Sequence, residues 1–161
     1  MAKRVKFQIG DLVSIPLENE SFGSMVGRIL NIDGGSVLLE VYRTHPIANA
    51  SEFDYDAVKD KRPILIMWCY NKAIKNGSWV IFDRKPVESY GDIYFYSEIS
   101  TDEFSLTKDN GTVVGELTGV RVSAEEAKKH YPYGISNEIA LPRRLKYLLQ
   151  AEGILSPDSG T

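Results

Sequence analysis

The alternation of apolar and polar positions predicts that the chain begins with β-strands. Residues 12–17 form a short apolar run, and a polar turn at residues 18–21 separates it from an extended stretch at residues 22–32. Residues 36–43 alternate again after Asp33-Gly34-Gly35, which is typical of a tight hairpin turn because glycine tolerates positive φ. These runs predict a meander of three antiparallel strands.

Two glycines, Gly23 and Gly27, lie inside the second predicted strand. Glycine weakens a strand and often marks a bulge or a sharp bend. We therefore expect the sheet to curl, either as a curled open sheet or as a small, partly open barrel.

The middle of the chain combines one irregular segment with several strands. Residues 44–63 are polar, and so long a stretch without regular structure is unusual in a compact domain. We expect a functional loop there, or one short helix at residues 51–59. Further strands are predicted at residues 64–70, 79–82, 94–99, 103–107, 112–114 and 117–122, with turns at residues 76–77 and 108–111.

The C-terminal part changes to a helical period. Ser123 and Glu126 have the spacing of a capping box, which predicts a helix that ends near His130. A second helix is predicted from Pro142, followed by Gly153 as its stop signal. The second helix has one leucine face, formed by Leu141, Leu145, Leu148 and Leu149. We expect both helices to pack on one face of the sheet.

Length and composition are those of an ordinary globular protein. The chain has 161 residues, of which 43% are hydrophobic and 25% are charged. A chain of this size buries roughly 70% of its unfolded surface and needs no disulfide or metal to hold it together. We predict one antiparallel, β-rich α+β domain at residues 1–155 and a flexible tail at residues 156–161.

The charge argues against a nucleic-acid partner. The net charge is −3, whereas nucleic-acid binders usually show a basic excess or stripe. An aromatic cluster could stack on bases, but its neighbours Glu88, Asp92 and Glu98 are acidic. Core packing or a protein interface explains that cluster better. It consists of Tyr90, Tyr94, Phe95, Tyr96, Tyr131 and Tyr133.

The residues offer little chemistry for catalysis or metal binding. Cys69 lies in an apolar run, which indicates a buried, inert thiol. His45 and His130 lie far from Cys69 and from each other, so no zinc site is predicted. The alternating acids of residues 52–56 lack the glycine that a calcium loop requires. Phosphate-binding and serine-nucleophile motifs are also missing, and we predict a non-enzyme without a cofactor.

The chain shows no signal peptide and no apolar run long enough to span a bilayer. With its single cysteine, it fits a reducing, cytoplasmic setting without a membrane partner.

The order of glycines, turns and apolar runs resembles a known family. Residues 6–17 read Lys-Phe-x-Ile-Gly-Asp-Leu-Val-x-Ile-Pro-Leu, and Gly27-Arg28-Ile29-Leu30 follows. Further on, Gly77-Ser78-Trp79-Val80-Ile81 and Pro86 precede Tyr94-Phe95. This pattern is similar to the immunity protein 26 family of bacterial polymorphic toxin systems.

The resemblance covers about residues 6–130 and is closest up to Arg43. The helical end from about Pro132 has no counterpart in the family pattern. The resemblance implies an immunity protein that binds a cognate toxin and blocks it, without a catalytic residue. Two alternatives stay open: an SH3-like-barrel binding module with a regulatory or nucleic-acid partner, and an enzyme with an unfamiliar site.

An acidic, aromatic segment is the predicted partner-binding site. A toxin that acts on nucleic acid, such as a nuclease, is usually basic, and acidic side chains would complement it. Aromatic side chains would supply anchors. The alternative interpretation is a solvated, variable loop. The predicted residues are Glu52, Phe53, Asp54, Tyr55 and Asp56.

Overall fold

The computed structural model describes residues 4–157, which divide into two compact units. The first unit contains residues 4–86 and 136–157, and the second contains residues 87–135. The single domain at residues 1–155 and the flexible tail at residues 156–161 stay predictions, and residues 158–161 lie outside the described part.

Strands dominate both units, and the α-helices are short apart from the last. The strands are β1 (Asp11–Pro16), β2 (Ser24–Asp33), β3 (Ser36–Val41), β4 (Leu65–Tyr70), β5 (Val80–Arg84), β6 (Ile93–Ser100), β7 (Glu103–Asp109), β8 (Glu116–Val122), β9 (Tyr131–Pro132) and β10 (Ile135–Ser136). The helices are α1 (Tyr55–Val58), α2 (Lys72–Lys75), α3 (Ala124–Ala127) and α4 (Ala140–Ala151), and 3₁₀ turns occupy Glu20–Phe22 and Ala50–Glu52.

The first unit contains a sheet of six strands in the order β10-β4-β3-β2-β1-β5. The predicted antiparallel meander of β1, β2 and β3 is confirmed. Asp33 lies opposite Ser36, so Gly34 and Gly35 form a two-residue hairpin loop. The described strands do not close this sheet into a barrel. The β-rich α+β class is therefore confirmed, with an open sheet.

The glycines of the second predicted strand allow close packing and do not themselves form a bulge. The register of β2 against β3 shifts between Ile29 and Asn31, downstream of both glycines. Gly27 is buried in the regularly paired part of β2. Gly23 precedes the strand with φ of +90°, and a Cβ there would lie 2.7 Å from the carbonyl oxygen of Ile47. Only glycine fits this approach.

The centre of the first sheet is covered on both faces. Five of the six residues in β3 and in β4 are buried, which is typical of strands without a solvated face. Cys69 lies there as a fully buried free thiol, as predicted. Burial raises the pKa of this thiol from its ordinary 9.0 to about 12, and the carboxylate of Glu138 adds to the increase.

Helix α4 belongs to the first unit and buries one leucine face. Leu141, Leu145 and Leu149 have no exposed surface, which is the spacing expected of an amphipathic helix. The helix begins at Ala140, two residues before the predicted start, because the side chain of Asn137 accepts hydrogen bonds from the first backbone N–H groups. Among residues 4–157, no helix is sufficiently long and apolar to cross a membrane.

The second unit contains a four-stranded sheet in the order β8-β7-β6-β9, with β9 parallel to β6. The predicted hairpin turn at residues 108–111 is wrong in position: β7 continues to Asp109, and residues 112–114 are not a strand. The side chain of Asn110 instead caps a wider loop by accepting from the N–H groups of Thr112 and Val113. The chain then returns as β8.

Helix α3 is capped as the sequence predicts but is shorter. The hydroxyl of Ser123 accepts from the backbone N–H of Glu126 at 3.2 Å. The helix ends at Ala127, before the predicted end near His130. The aromatic cluster of this unit is divided: Phe95 is buried, whereas Tyr133 is about half exposed.

Replacing Gly23 by alanine should destabilise the protein much more than the same change at Gly34. Both glycines have positive φ, but a Cβ at Gly34 meets nothing within 4 Å. The strain of positive φ alone costs about 1 kcal/mol for G34A, and the collision with Ile47 should raise the loss to at least about 2 kcal/mol for G23A. Urea unfolding measures both, and equal losses would contradict the close approach.

The Cys69 thiol should be unreactive in the folded protein. With its pKa raised to about 12, it stays protonated at pH 9, whereas an unfolded thiol is half ionised there. We expect a thiol reagent at pH 9 to react on the order of 100-fold more slowly than with a C69A/Y70C control, since Tyr70 is about half exposed. Similar rates would contradict the burial.

The stability of the protein should also fall as the pH rises above 9. The folded thiol keeps its proton while the unfolded thiol loses it, so alkaline pH favours the unfolded state. The C69A variant should lose less stability between pH 8 and pH 10, by about 1 kcal/mol. Urea titrations of both proteins at the two pH values measure this. An equal loss of stability in the wild type and in C69A would contradict the prediction.

Candidate partner-binding site

The long polar segment after β3 is ordered by a few anchors. Ser24 and Ile47 exchange two backbone hydrogen bonds of 2.8 and 2.9 Å, which attach the segment to the start of β2. The chain then forms the 3₁₀ turn Ala50–Glu52 and the short helix α1. The single helix predicted at residues 51–59 is therefore two separate short turns.

Two of the predicted acidic residues stabilise these turns. The Glu52 carboxylate accepts from the N–H of Ala48 at 2.8 Å. The Asp54 carboxylate accepts from the N–H of Ala57 at 3.3 Å and is the N-cap of α1. Unpaired N–H groups at the start of a helical turn favour negative side chains there. The sequence of this segment thus fixes its own backbone.

Acidic and aromatic residues alternate between the outside and the inside of this segment. Glu52, Asp54 and Asp56 are exposed, whereas Phe53 and Tyr55 are half-buried. The two aromatic rings pack against the fully buried Tyr42 of the first unit, with ring centroids at 5.5 Å for Phe53 and 6.0 Å for Tyr55. The two rings therefore attach the segment to the first unit, and the three carboxylates face solvent.

Arg28 of β2 contacts the Tyr55 side chain and fixes its position. Its guanidinium donates to the Tyr55 hydroxyl at 3.2 Å and pairs with the Glu40 carboxylate at 3.3 Å. Lys85 also approaches, with its Nζ 5.1 Å from the centroid of the Tyr55 ring. Two cations thus surround one aromatic ring, which is attractive for the negative face of the ring.

The buried Tyr42 hydroxyl has no hydrogen-bond partner among the described residues. Burial raises the pKa of this phenol well above its ordinary value, and the nearby Glu40 carboxylate adds to the increase. The hydroxyl therefore stays neutral at every physiological pH. It serves the site as part of the packed base under Phe53 and Tyr55.

A cleft of about 530 Å³ opens over this base. We call it the acidic cleft, and it is lined by residues 50–56 together with Phe82, Asp83 and Lys85. All five predicted site residues are brought together on its wall. Its lining carries four carboxylates and one ammonium group. The negative charge of the cleft attracts cations.

Asp56 is the least constrained carboxylate of the cleft. Its side chain is 84% exposed and has a single ion pair, 3.3 Å long, with Lys59 one helical turn away. A pair between exposed side chains is worth about 0–1 kcal/mol. Little free energy is therefore lost when the Asp56 carboxylate leaves Lys59 to bind a partner.

Sequence reasoning missed the part of the cleft that comes from β5 and the residue after it, which are Phe82, Asp83 and Lys85. Phe82 contacts Phe53 edge to face at 6.1 Å, and Asp83 adds a carboxylate. They reach the cleft because β5 pairs with β1, a contact between strands far apart in the chain. The alternation of residues 79–82 predicted a strand, but nothing in it indicated this neighbour.

The described residues contain no group of three or more His, Cys, Asp or Glu side chains arranged to hold a metal ion. The carboxylates of the acidic cleft are therefore spread along its wall and not gathered at one point.

The family model described as immunity protein 26 matches residues 8–108. The matched stretch contains β1 to β6, and the match places it among immunity proteins, a class whose members generally are not enzymes. The chain belongs to the immunity protein 26 family. No curated protein and no solved structure matches it.

The matched range contains the whole acidic cleft but not the C-terminal part of the chain. It ends inside β7, so β8, α3 and α4 lie beyond it. The predicted resemblance extended to about residue 130, and the matched range is shorter at this end.

Replacing Tyr55 by phenylalanine should lower the free energy of unfolding only slightly, and replacing it by alanine should lower it more. Y55F removes the hydrogen bond from Arg28 but keeps the ring against Tyr42, a loss of about 1 kcal/mol. Y55A also removes the half-buried ring, which should raise the loss to about 2–3 kcal/mol. Thermal unfolding of both variants checks this order, and a larger loss for Y55F would contradict it.

Proposed function

We propose that this protein binds a cognate bacterial toxin in the cytoplasm and neutralises it by covering a surface the toxin needs. The observation that carries this proposal is the acidic cleft, which lies within the part of the chain that matches the immunity family. A toxin that cleaves nucleic acid is the partner class that the charge favours, because its own substrate is polyanionic.

Charge complementarity supports the choice of partner. The four carboxylates of the cleft face solvent or lie at its edge, with Lys85 as the opposing charge in its lining. Complementary surfaces increase the association rate and orient the two proteins before contact. An acidic surface placed over the substrate channel of a nuclease would also repel the nucleic acid that competes for it.

The packing of the site supports tight binding. Aromatic residues at the centre of an interface supply a large share of the binding energy, and charged residues at the rim supply rate and specificity. Here Phe53, Tyr55 and Phe82 line the cleft together with its four carboxylates. Since these rings are already packed in the free protein, little conformational entropy is lost on binding.

Inhibition by blocking requires no catalytic group. It requires an interface of ordinary size, about 1,200–2,000 Å² in total, with the cleft near its centre. The alternative of an SH3-like barrel loses its structural basis, because the described strands form an open sheet.

The first test is co-purification with the protein encoded by the adjacent gene. We expect a stoichiometric complex in which the toxic activity of the neighbour is silenced. If the neighbour is harmless and does not bind, the proposal of an immunity role fails.

The second test uses Asp56 with Asp60 as its matched control. Both are exposed aspartates, Asp56 in the first turn of α1 and Asp60 two residues after the helix, but only Asp56 lines the cleft. D56N should weaken toxin binding roughly 5- to 30-fold, as expected for loss of an interfacial charge contact, while D60N should change it less than about twofold. Calorimetry or surface plasmon resonance at two salt concentrations measures this. Equal effects would mean that only the overall charge matters and that the cleft is not the contact surface.

A further inference from the structure

We propose that the acidic cleft receives one arginine side chain of the toxin. This inference rests on the proposed function, and it replaces a general attraction between surfaces by one defined contact. Two features of the lining of the cleft lead to it: half-buried aromatic rings and exposed carboxylates.

The rings provide a surface for a flat cation. Phe53 and Phe82 meet edge to face with centroids 6.1 Å apart, and both line the cleft. Both are half-buried, so part of each ring is accessible to a ligand. A guanidinium group binds to aromatic rings through stacking and cation–π attraction, more favourably than an ammonium group does.

The protein already uses this kind of contact beside the cleft. Lys85 lies over the Tyr55 ring, and the Arg28 guanidinium lies 5.9 Å from the same centroid. These two cations occupy Tyr55, so an incoming cation is left with Phe53 and Phe82. The cation–π contacts between described residues leave Phe53 and Phe82 unused, so these two rings remain for an incoming cation.

The carboxylates of the cleft supply the hydrogen-bond acceptors that a guanidinium requires. Asp83 follows Phe82 directly, and Asp54 and Asp56 stand on the opposite segment of the chain. Asp83 uses one carboxylate oxygen to accept from the Arg84 N–H at 2.7 Å, which fixes the carboxylate and leaves lone pairs for a ligand. Arginine forms paired hydrogen bonds with carboxylates, a geometry that lysine cannot reproduce.

The cleft is large enough for one arginine side chain together with the backbone next to it. Its volume of about 530 Å³ lies within the range of about 300–1,000 Å³ that is usual for small ligands. One arginine and the backbone next to it fit this space. The toxin is thus expected to present an arginine that projects from its surface.

The direct test uses small arginine analogues with the wild-type protein. N-acetyl-arginine methylamide at millimolar concentration should shift the amide NMR signals of Phe53, Asp56, Phe82 and Asp83, with smaller changes elsewhere. The neutral isostere N-acetyl-citrulline methylamide should bind at least about tenfold more weakly, and the lysine analogue several-fold more weakly. No localised shift, or equal shifts with citrulline or lysine, would overturn the inference.

Two variants test the same contact in the complex with the toxin. D83N removes one charge of the cleft, and F82L keeps the apolar volume but removes the ring; each should weaken binding about tenfold. D60N is the control for charge, and circular dichroism melting checks that each variant is folded. Unchanged affinity in D83N and F82L would overturn the inference.

The two proposals fail in different ways. If the toxin binds normally but neither variant matters, the immunity role stands and the arginine contact is wrong. If the arginine analogue binds the cleft but no toxic partner is found, the chemistry of the cleft stands and the proposed function is wrong.

Discussion

The half-buried guanidinium of Arg28 is the interaction on which the site depends. A cation that has lost most of its water must be compensated locally, and Arg28 is compensated by Glu40 on the neighbouring strand and by the Tyr55 hydroxyl. Since Arg28 and Glu40 belong to the sheet while Tyr55 belongs to the segment above it, one charged group joins the two. The position of the acidic cleft is therefore determined by the sheet, although most of its lining comes from a loop.

Patterns that are local in the chain were predictable, whereas contacts between distant strands were not. The Asp33-Gly34-Gly35 turn and the Ser123 cap depend on a few adjacent residues, and both were found. The turn after β7 is an exception, because it is local and its prediction was wrong. The Asn110 side chain closes a loop wider than a tight hairpin turn, and β8 begins only at Glu116. The contribution of β5 to the cleft was missed because it depends on distant strands: only the pairing of β5 with β1 brings Phe82 and Asp83 to it.

The carboxylates of the predicted site differ in how much they stabilise the backbone around them. Glu52 and Asp54 stabilise the turns that carry them, so their presence is explained without any partner. Asp56 instead forms an exposed ion pair with Lys59, so its charge remains for a ligand. Asp83 accepts from the backbone N–H of Arg84 with one carboxylate oxygen and keeps the other oxygen for a ligand. The alternation of acids with Phe53 and Tyr55 was the informative signal in the sequence, because it separates a packed side from a solvated one.

The return of the C-terminal segment to the first unit has a consequence for how the protein is made. Residues 136–157 belong to the same unit as residues 4–86, and α4 buries Leu141, Leu145 and Leu149 there. During synthesis on the ribosome, the strands around the acidic cleft emerge well before this helix is translated. Until it arrives, the apolar surface that it covers is open, and contacts between such distant segments form slowly. A newly made molecule thus completes its core only when translation has passed α4, so the finished fold appears with that delay.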